Sequence, residues 1–151
     1  MPNNENRPKI ENRKARQYYE FIEFFEAGIA LTGPEVKSIR AGQVSFGDSF
    51  VECRDGNASI VGMRIAPYDR AGYVLQEPDR TRRLLLHMRE IRHLSAQVEQ
   101  KGLTVVPVKM YFKAGKVKLE IALARGRKLY DRREELKRRA ESRDLEREIV
   151  R

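Results

Sequence analysis

Apolar and polar residues alternate most regularly late in the chain, where Val117, Leu119, Ile121 and Leu123 are spaced by Lys116, Lys118 and Glu120. A period of two predicts a strand with one face on a core and a lysine-bearing face outward. Residues 103–112 form a second apolar run, and Lys113, Ala114 and Gly115 join the two into a hairpin. Upstream, residues 49–54 and 58–65 flank Asp55-Gly56-Asn57, whose Asp-Gly pair is a strong hairpin signal. Residues 18–31 gather Tyr18, Tyr19, Phe21, Ile22, Phe24, Phe25, Ile29 and Leu31. That run predicts one long strand, bent near Ala27 and Gly28.

Two stretches read as helix. Pro34 suits the first turn of a short helix through Arg40, with Val36 and Ile39 one turn apart and Gly42 as the stop. A longer helix is predicted after Asp79, as N-cap, to about Gln100. Leu84, Met88, Ile91 and Val98 fall near one stripe there, with Leu85 beside it and Gly102 at its end. Five or more strands with a short and a long helix, the long one between the third and fourth strands, fit a mainly β architecture. An OB-like Greek-key barrel is one of several arrangements that satisfy this pattern. The expected organisation is a flexible arm over 1–11, a folded OB-like body over 12–124 and a basic tail over 125–151.

Charge sharpens that division. The chain of 151 residues carries a net +9. Residues 1–19 contribute +3 and residues 125–151 contribute +4, which leaves +2 for the 105 residues between them. Cationic arms on a nearly balanced body suit a polyanion, since each Lys or Arg placed on a phosphate releases counterions. The tail has few apolar residues (Leu129, Tyr130, Leu136, Leu145, Ile149, Val150), which predicts disorder alone and a helix when docked. Its sparse apolar heptad positions do not favour a coiled coil, so a monomer is expected.

Other chemistries are poorly supplied. No run of 18 apolar residues offers a membrane span, residues 1–10 lack the apolar segment of a secretory signal, and a lone Cys53 forms no internal disulfide. A cytoplasmic chain is the expectation. One Cys with His87 and His93 makes no closed zinc site, and no glycine-rich phosphate loop is present. Glu20, Glu23 and Glu26 recur every third residue, so on a strand they alternate faces and do not converge. No catalytic residue and no cofactor are expected. Glu26, beside Ala27 and Gly28, can accept from a guanine edge or a ribose hydroxyl; an ordinary solvated carboxylate is an equal reading.

Basic clusters carry the stronger signal. Arg13, Lys14 and Arg16 precede the aromatic run, Lys116 and Lys118 stud one strand face, and Arg80, Arg82 and Arg83 open the predicted long helix. A helix N-terminus adds its own positive end, which makes the last cluster a candidate anion site. Tyr18, Phe46 and Tyr73 are candidate stacking partners for unpaired bases.

Several motifs in order resemble one family. Asn12-Arg-Lys-Ala-Arg16, Glu26-Ala-Gly28, Leu31-Thr-Gly-Pro-Glu-Val-Lys-Ser-Ile-Arg-Ala-Gly42 and Asp48-Ser49 are similar to bacterial small protein B, the SsrA-binding protein of trans-translation. So are Arg80-Thr-Arg-Arg-Leu-Leu-Leu-His87, Tyr111-Phe-Lys113 and Ala124-Arg-Gly-Arg-Lys-Leu-Tyr-Asp-Arg-Arg133, and the resemblance covers about residues 8–151. It implies an OB-type barrel that binds the tRNA-like domain of transfer-messenger RNA and brings it to stalled ribosomes, so that incomplete polypeptides are tagged. The resemblance places RNA contacts at Glu26, Leu85 and Lys118, with basic residues including Arg13 and Lys14 as additional contacts. It further implies a tail, marked by Gly126, Arg127, Lys128, Tyr130, Asp131, Arg132 and Arg133, that is disordered when free and helical in the empty mRNA channel. Tyr130 stands where some members have His, which argues for stacking on a base. Elongation factor Tu is the companion implied on the aminoacylated RNA.

Overall fold

In the computed structural model, which describes residues 8–70, 72 and 75–127, the alternation of the last strand is realised as burial. Val117, Leu119, Ile121 and Leu123 all lie in the core. They belong to β9 (Lys116–Gly126), which follows β8 (Thr104–Lys113) in an antiparallel hairpin. Ala114 and Gly115 both have positive φ (51° and 79°), the two-residue turn that matches strand twist. The same turn recurs at Asp55 and Gly56 (51° and 75°), between β4 (Phe50–Arg54) and β5 (Asn57–Val61).

Six strands close into an antiparallel barrel. With β2 (Tyr19–Ile29) and β7 (Arg82–Leu85), the order is β8-β4-β5-β7-β2-β9, and β9 pairs back onto β8. Closure removes the open edges that an isolated sheet would expose. Ala27, Ile60, Leu84, Val105, Met110, Leu119 and Ile121 fill the interior. Ile39 of α2 (Gly33–Arg40) and Ile91 and Leu94 of α3 (Met88–Lys101) join the same core. A short pair, β3 (Val44–Ser45) and β6 (Arg64–Ile65), lies beside the barrel sheet. The mainly β barrel with a short and a long helix is thus as expected from sequence.

Local boundaries differ in instructive ways. The aromatic run is not one strand from residue 18, because α1 (Arg13–Tyr18) takes its first residue. Asn12 caps α1 by accepting from the Ala15 N–H, while its own amide donates to the Pro107 carbonyl at 2.8 Å. The irregularity in β2 falls between Phe21 and Glu23 rather than at Ala27–Gly28. Gly28 instead bridges, paired with Lys118 of β9 on one side and Leu85 of β7 on the other.

The long helix begins only at Met88. Residues 82–85 are strand, with Arg82 and Leu84 buried and Arg83 and Leu85 exposed. Pairing of Leu84 with Ala58 and with Ile29 outweighs the local helical period. The helix consequently lies between the fourth and fifth barrel strands, and its buried residues are Ile91 and Leu94, while Met88 and Val98 are exposed. The folded body also starts earlier than residue 12. Ile10 and Glu11 form β1, paired with Met110 and Lys109, so they do not belong to a flexible arm. At the other end Gly126 still pairs with Tyr19, and the Arg127 N–H donates to the Tyr18 carbonyl at 2.8 Å.

Candidate nucleic-acid interface

Residues 24–28 of β2 alternate across the barrel wall, so the buried Ala27 is flanked by an outward Glu26 and Gly28. On β9 the outward neighbours are Lys118 and Glu120, and on β7 Leu85 points out beside Gly28. A side chain at position 28 would place its Cβ 3.1 Å from the Leu85 Cβ, so glycine is what lets this leucine lie against β2. The result is a groove lined by Glu26, Gly28, Asn57, Arg83, Leu85, His87, Met88 and Lys118. Three residues far apart in sequence, Glu26, Leu85 and Lys118, thus share one surface. Leu85 remains 58% exposed, an apolar platform set among polar groups.

Glu26 sits in a defined hydrogen-bond setting. Its Oε2 accepts from the Tyr111 hydroxyl at 2.5 Å and from Lys113 Nζ at 3.3 Å, while Oε1 meets only Lys113, at 3.4 Å. The Tyr111 hydrogen bond lowers the carboxyl below its ordinary range; desolvation opposes this, and Lys113 and Lys118 add to it. Burial and the neighbouring carboxylate push the Tyr111 phenol up, so it stays protonated. Glu26 therefore meets a ligand as an acceptor only. Chemically, the groove offers an acceptor for base or ribose donors, an apolar face for a base or sugar, and cations for phosphate.

The predicted basic residues divide by location. Lys116 and Lys118 stand on the groove side of β9. Arg13, Lys14 and Arg16 are exposed on α1, which covers the outer face of β8 and β9 around Val106 and Ala124. Six residues separate Lys118 from Ala124, about 20 Å along the strand, so the α1 cluster is not part of the groove. Lys14 pairs with Asp48 at 2.5 Å and, with Tyr18, Tyr19, Gly126 and Arg127, borders a second groove at that end.

Arg82 is a correction. It has no exposed surface and cannot touch RNA. Strand alternation turns it inward, where Nε donates to Glu35 Oε2 at 2.5 Å and the remaining donors reach the carbonyls of Met63, Arg80, Glu77 and Pro78. Arg80 donates to the same carboxylate. Burial alone would raise Glu35, but bonds donated to its carboxylate by Arg80, the Thr32 N–H and Arg82 outweigh it and bring the carboxyl down to about 2. Residues 80–83 therefore form no helix N-terminal anion site; of the two strand arginines, only Arg83 faces the groove.

The other candidates fall as follows. Phe46 is core, and Tyr18 is half-buried at the end of α1. Glu20, Glu23 and Glu26 each engage a separate partner, respectively Arg125, His93 and Tyr111. Cys53 is half-buried, and burial raises its thiol. Among the described residues no three His, Cys, Asp or Glu side chains gather as metal ligands, and no helix is long and apolar enough to cross a membrane. Tyr73, Lys128, Tyr130, Asp131, Arg132 and Arg133 lie outside the described residues, whereas Gly126 closes β9 and Arg127 follows it. Sequence reasoning missed Tyr111, Asn57 and Met88 at this site. Only Tyr111 left a signal, its place among the outward positions of β8 opposite Lys118.

A family model described as SmpB protein matches residues 9–151. The SsrA-binding protein of Lawsonia intracellularis is 62% identical over 141 residues, spanning 93% of this chain and 91% of its own. That of Oleidesulfovibrio alaskensis is 64% identical over 141 residues with the same coverage. Among solved structures, a chain from "tmRNA-SmpB: a journey to the center of the bacterial ribosome" aligns with a TM-score of 0.68 and 51% identity, covering 81% of this chain and 86% of that one. A match over nearly the whole length, joined to a barrel that brings Glu26, Leu85 and Lys118 together, leads to one assignment: the chain belongs to the SmpB family.

Proposed function

We propose that this chain is a non-enzymatic adaptor that holds the tRNA-like domain of transfer-messenger RNA in the Glu26–Leu85–Lys118 groove. It carries that RNA in the cytoplasm to ribosomes stalled without a usable codon. The observation behind this reading is the convergence, from three strands, of an ionised carboxylate, an exposed leucine and a lysine on one surface. Such a set suits an RNA whose bases are unpaired and splayed, with donors read by the carboxylate and phosphate met by the lysine. Lys116 extends the cationic side, and Arg13, Lys14 and Arg16 supply a separate basic surface about 20 Å along β9.

The segment 125–151, net +4, is assigned a second job. It enters the ribosome's empty mRNA channel, becomes helical there, and positions Tyr130 to stack on a base while Lys128, Arg132 and Arg133 offset phosphate. Asp131 and the root residues Gly126 and Arg127 complete the motif. Elongation factor Tu accompanies the loaded RNA. This reading is one of binding rather than reaction, since Glu20, Glu23 and Glu26 stand apart, each beside a different partner, and do not converge on one point.

The test is competition binding at fixed salt. The tRNA-like domain should outcompete ordinary tRNA. Glu26→Ala and Lys118→Ala should each weaken binding about tenfold, with Lys118→Ala also lowering the salt slope by about one. Equal affinity for both RNAs, or unchanged affinity in both variants, would refute the reading.

A further inference from the structure

We infer that Tyr111 is a positioning residue for nucleotide recognition: by holding Glu26 across β9, it aims one carboxylate oxygen at an edge that presents N–H donors. This rests on the reading of the groove as the RNA surface. Tyr111 is on β8, opposite Lys118 of β9, while Glu26 is on β2, opposite Glu120 of β9. The two residues therefore sit on strands separated by β9, about 10 Å apart in the sheet. Their side chains close that gap diagonally, with the phenol laid over β9 and its hydroxyl 2.5 Å from Glu26 Oε2.

Without that bond Glu26 has two poor alternatives. Directly across the strand pair stands Glu120, a like charge, which is unfavourable at a facing position. Lys113 already meets the carboxylate at 3.3 and 3.4 Å and Lys118 stands nearby, so a further swing toward these cations would bury both oxygens in ion pairs. By holding Oε2, Tyr111 keeps the carboxylate off Glu120 and limits how far it can turn toward the lysines. Its own ring is steadied by Lys109, whose Nζ lies 5.7 Å from the ring centroid and 3.7 Å from Glu120 Oε2. Glu120 is thereby held by Lys109 and kept off Glu26.

The two oxygens of Glu26 are not equivalent. Oε2 is taken by the phenol and by Lys113, whereas Oε1 meets only Lys113 at 3.4 Å. Oε1 is the freer acceptor, fixed in direction before any ligand arrives. An ionised carboxylate has no proton to give, so it selects groups that donate: the imino and amino edge of guanine, or the exocyclic amine of cytosine or adenine. A side chain already fixed loses less freedom on binding than a free one, which is what preorganisation contributes.

Tyr111→Phe keeps the ring, the strand and the Lys109 contact but removes the hydroxyl. Dissociation constants for the tRNA-like domain would be measured for the wild type, Tyr111→Phe, Glu26→Gln and the double variant. The expected result is about a tenfold loss for Tyr111→Phe alone and less than about twofold when Glu26 is already Gln, with the salt slope unchanged because no charge is removed. Wild-type affinity in Tyr111→Phe, or equal losses in both backgrounds, overturns the inference. If Glu26→Gln itself binds like the wild type, the groove reading fails as well, so the two failures are distinguishable. A readout free of RNA is the Glu26 carboxyl titration by carbon NMR. It should move up in Tyr111→Phe, and an unmoved titration counts against the hydroxyl as the holder.

Discussion

A guanidinium with no exposed surface, such as Arg82, is tolerable only when each donor finds an acceptor and the charge finds a partner. Glu35 supplies the charge from α2, 47 residues away in sequence, and four carbonyls supply the rest. Removing the partner should be costly. Glu35→Gln is expected to lower stability by about 3 kcal/mol at neutral pH, measured by denaturant unfolding. The pH dependence has a definite sign. Glu35 titrates near 2 in the folded protein, below its ordinary 4.5, so its stabilisation is present above about pH 5 and drains away as pH falls toward 2. The wild type should lose stability steeply over that window and Glu35→Gln should lose less. Identical profiles would contradict the assignment. Sequence could not separate Arg82 from Arg83, because nothing local tells an inward arginine from an outward one. The acceptor that settles it lies in a distant helix.

At the scale of elements, legibility followed how self-sufficient each piece is. β9 announces itself because buried apolar positions alternate with exposed or half-buried charged ones without exception from Lys116 to Ile121. The Asp55-Gly56 turn was legible for a local reason too, since its backbone needs positive φ at two successive residues. β7 was hidden. Four residues with an arginine facing inward carry too little pattern to outvote a neighbouring helical stripe, and only pairing with β5 and β2 makes them a strand. The candidate site divides the same way. Glu26, Leu85 and Lys118 were reachable through a family resemblance, whereas the part played by Tyr111 depends on a diagonal across β9 that exists only once three strands are in register. One turn also invites improvement. Ala114 holds φ at 51°, a conformation that costs an ordinary side chain about 1 kcal/mol. Ala114→Asn, giving the Asn-Gly pair favoured in such hairpins, should raise stability by roughly 0.5–1 kcal/mol, read as a higher melting temperature. Ala114→Val should lower it.

For the whole molecule, barrel closure matters because it fixes where two surfaces stand relative to each other. The groove lies at the Lys118 end of β9, while the basic face of α1 and the root of the tail lie at the Gly126 end. A chain truncated after Arg127 keeps every strand pairing seen among the described residues and the Arg127–Tyr18 bond. It should therefore bind the tRNA-like domain with unchanged affinity yet fail to support tagging on stalled ribosomes in a reconstituted translation assay. Loss of RNA affinity in that variant would mean that the two surfaces are not independent.

The strand that joins those ends behaves as a ruler. β9 is paired on both sides as far as Ala124 and with β2 to Gly126, and it cannot stretch, so the offset between groove and tail root is set by a count of peptide units, about 26 Å for the eight steps from Lys118 to Gly126. Distances in this molecule come in quanta. Two residues added to β9 would shift the tail root by about 7 Å without turning any side chain to the opposite face, and one residue would invert the faces beyond it. Spacing between the two partners is thus written in residue number and parity, a quantity that side-chain substitution cannot retune.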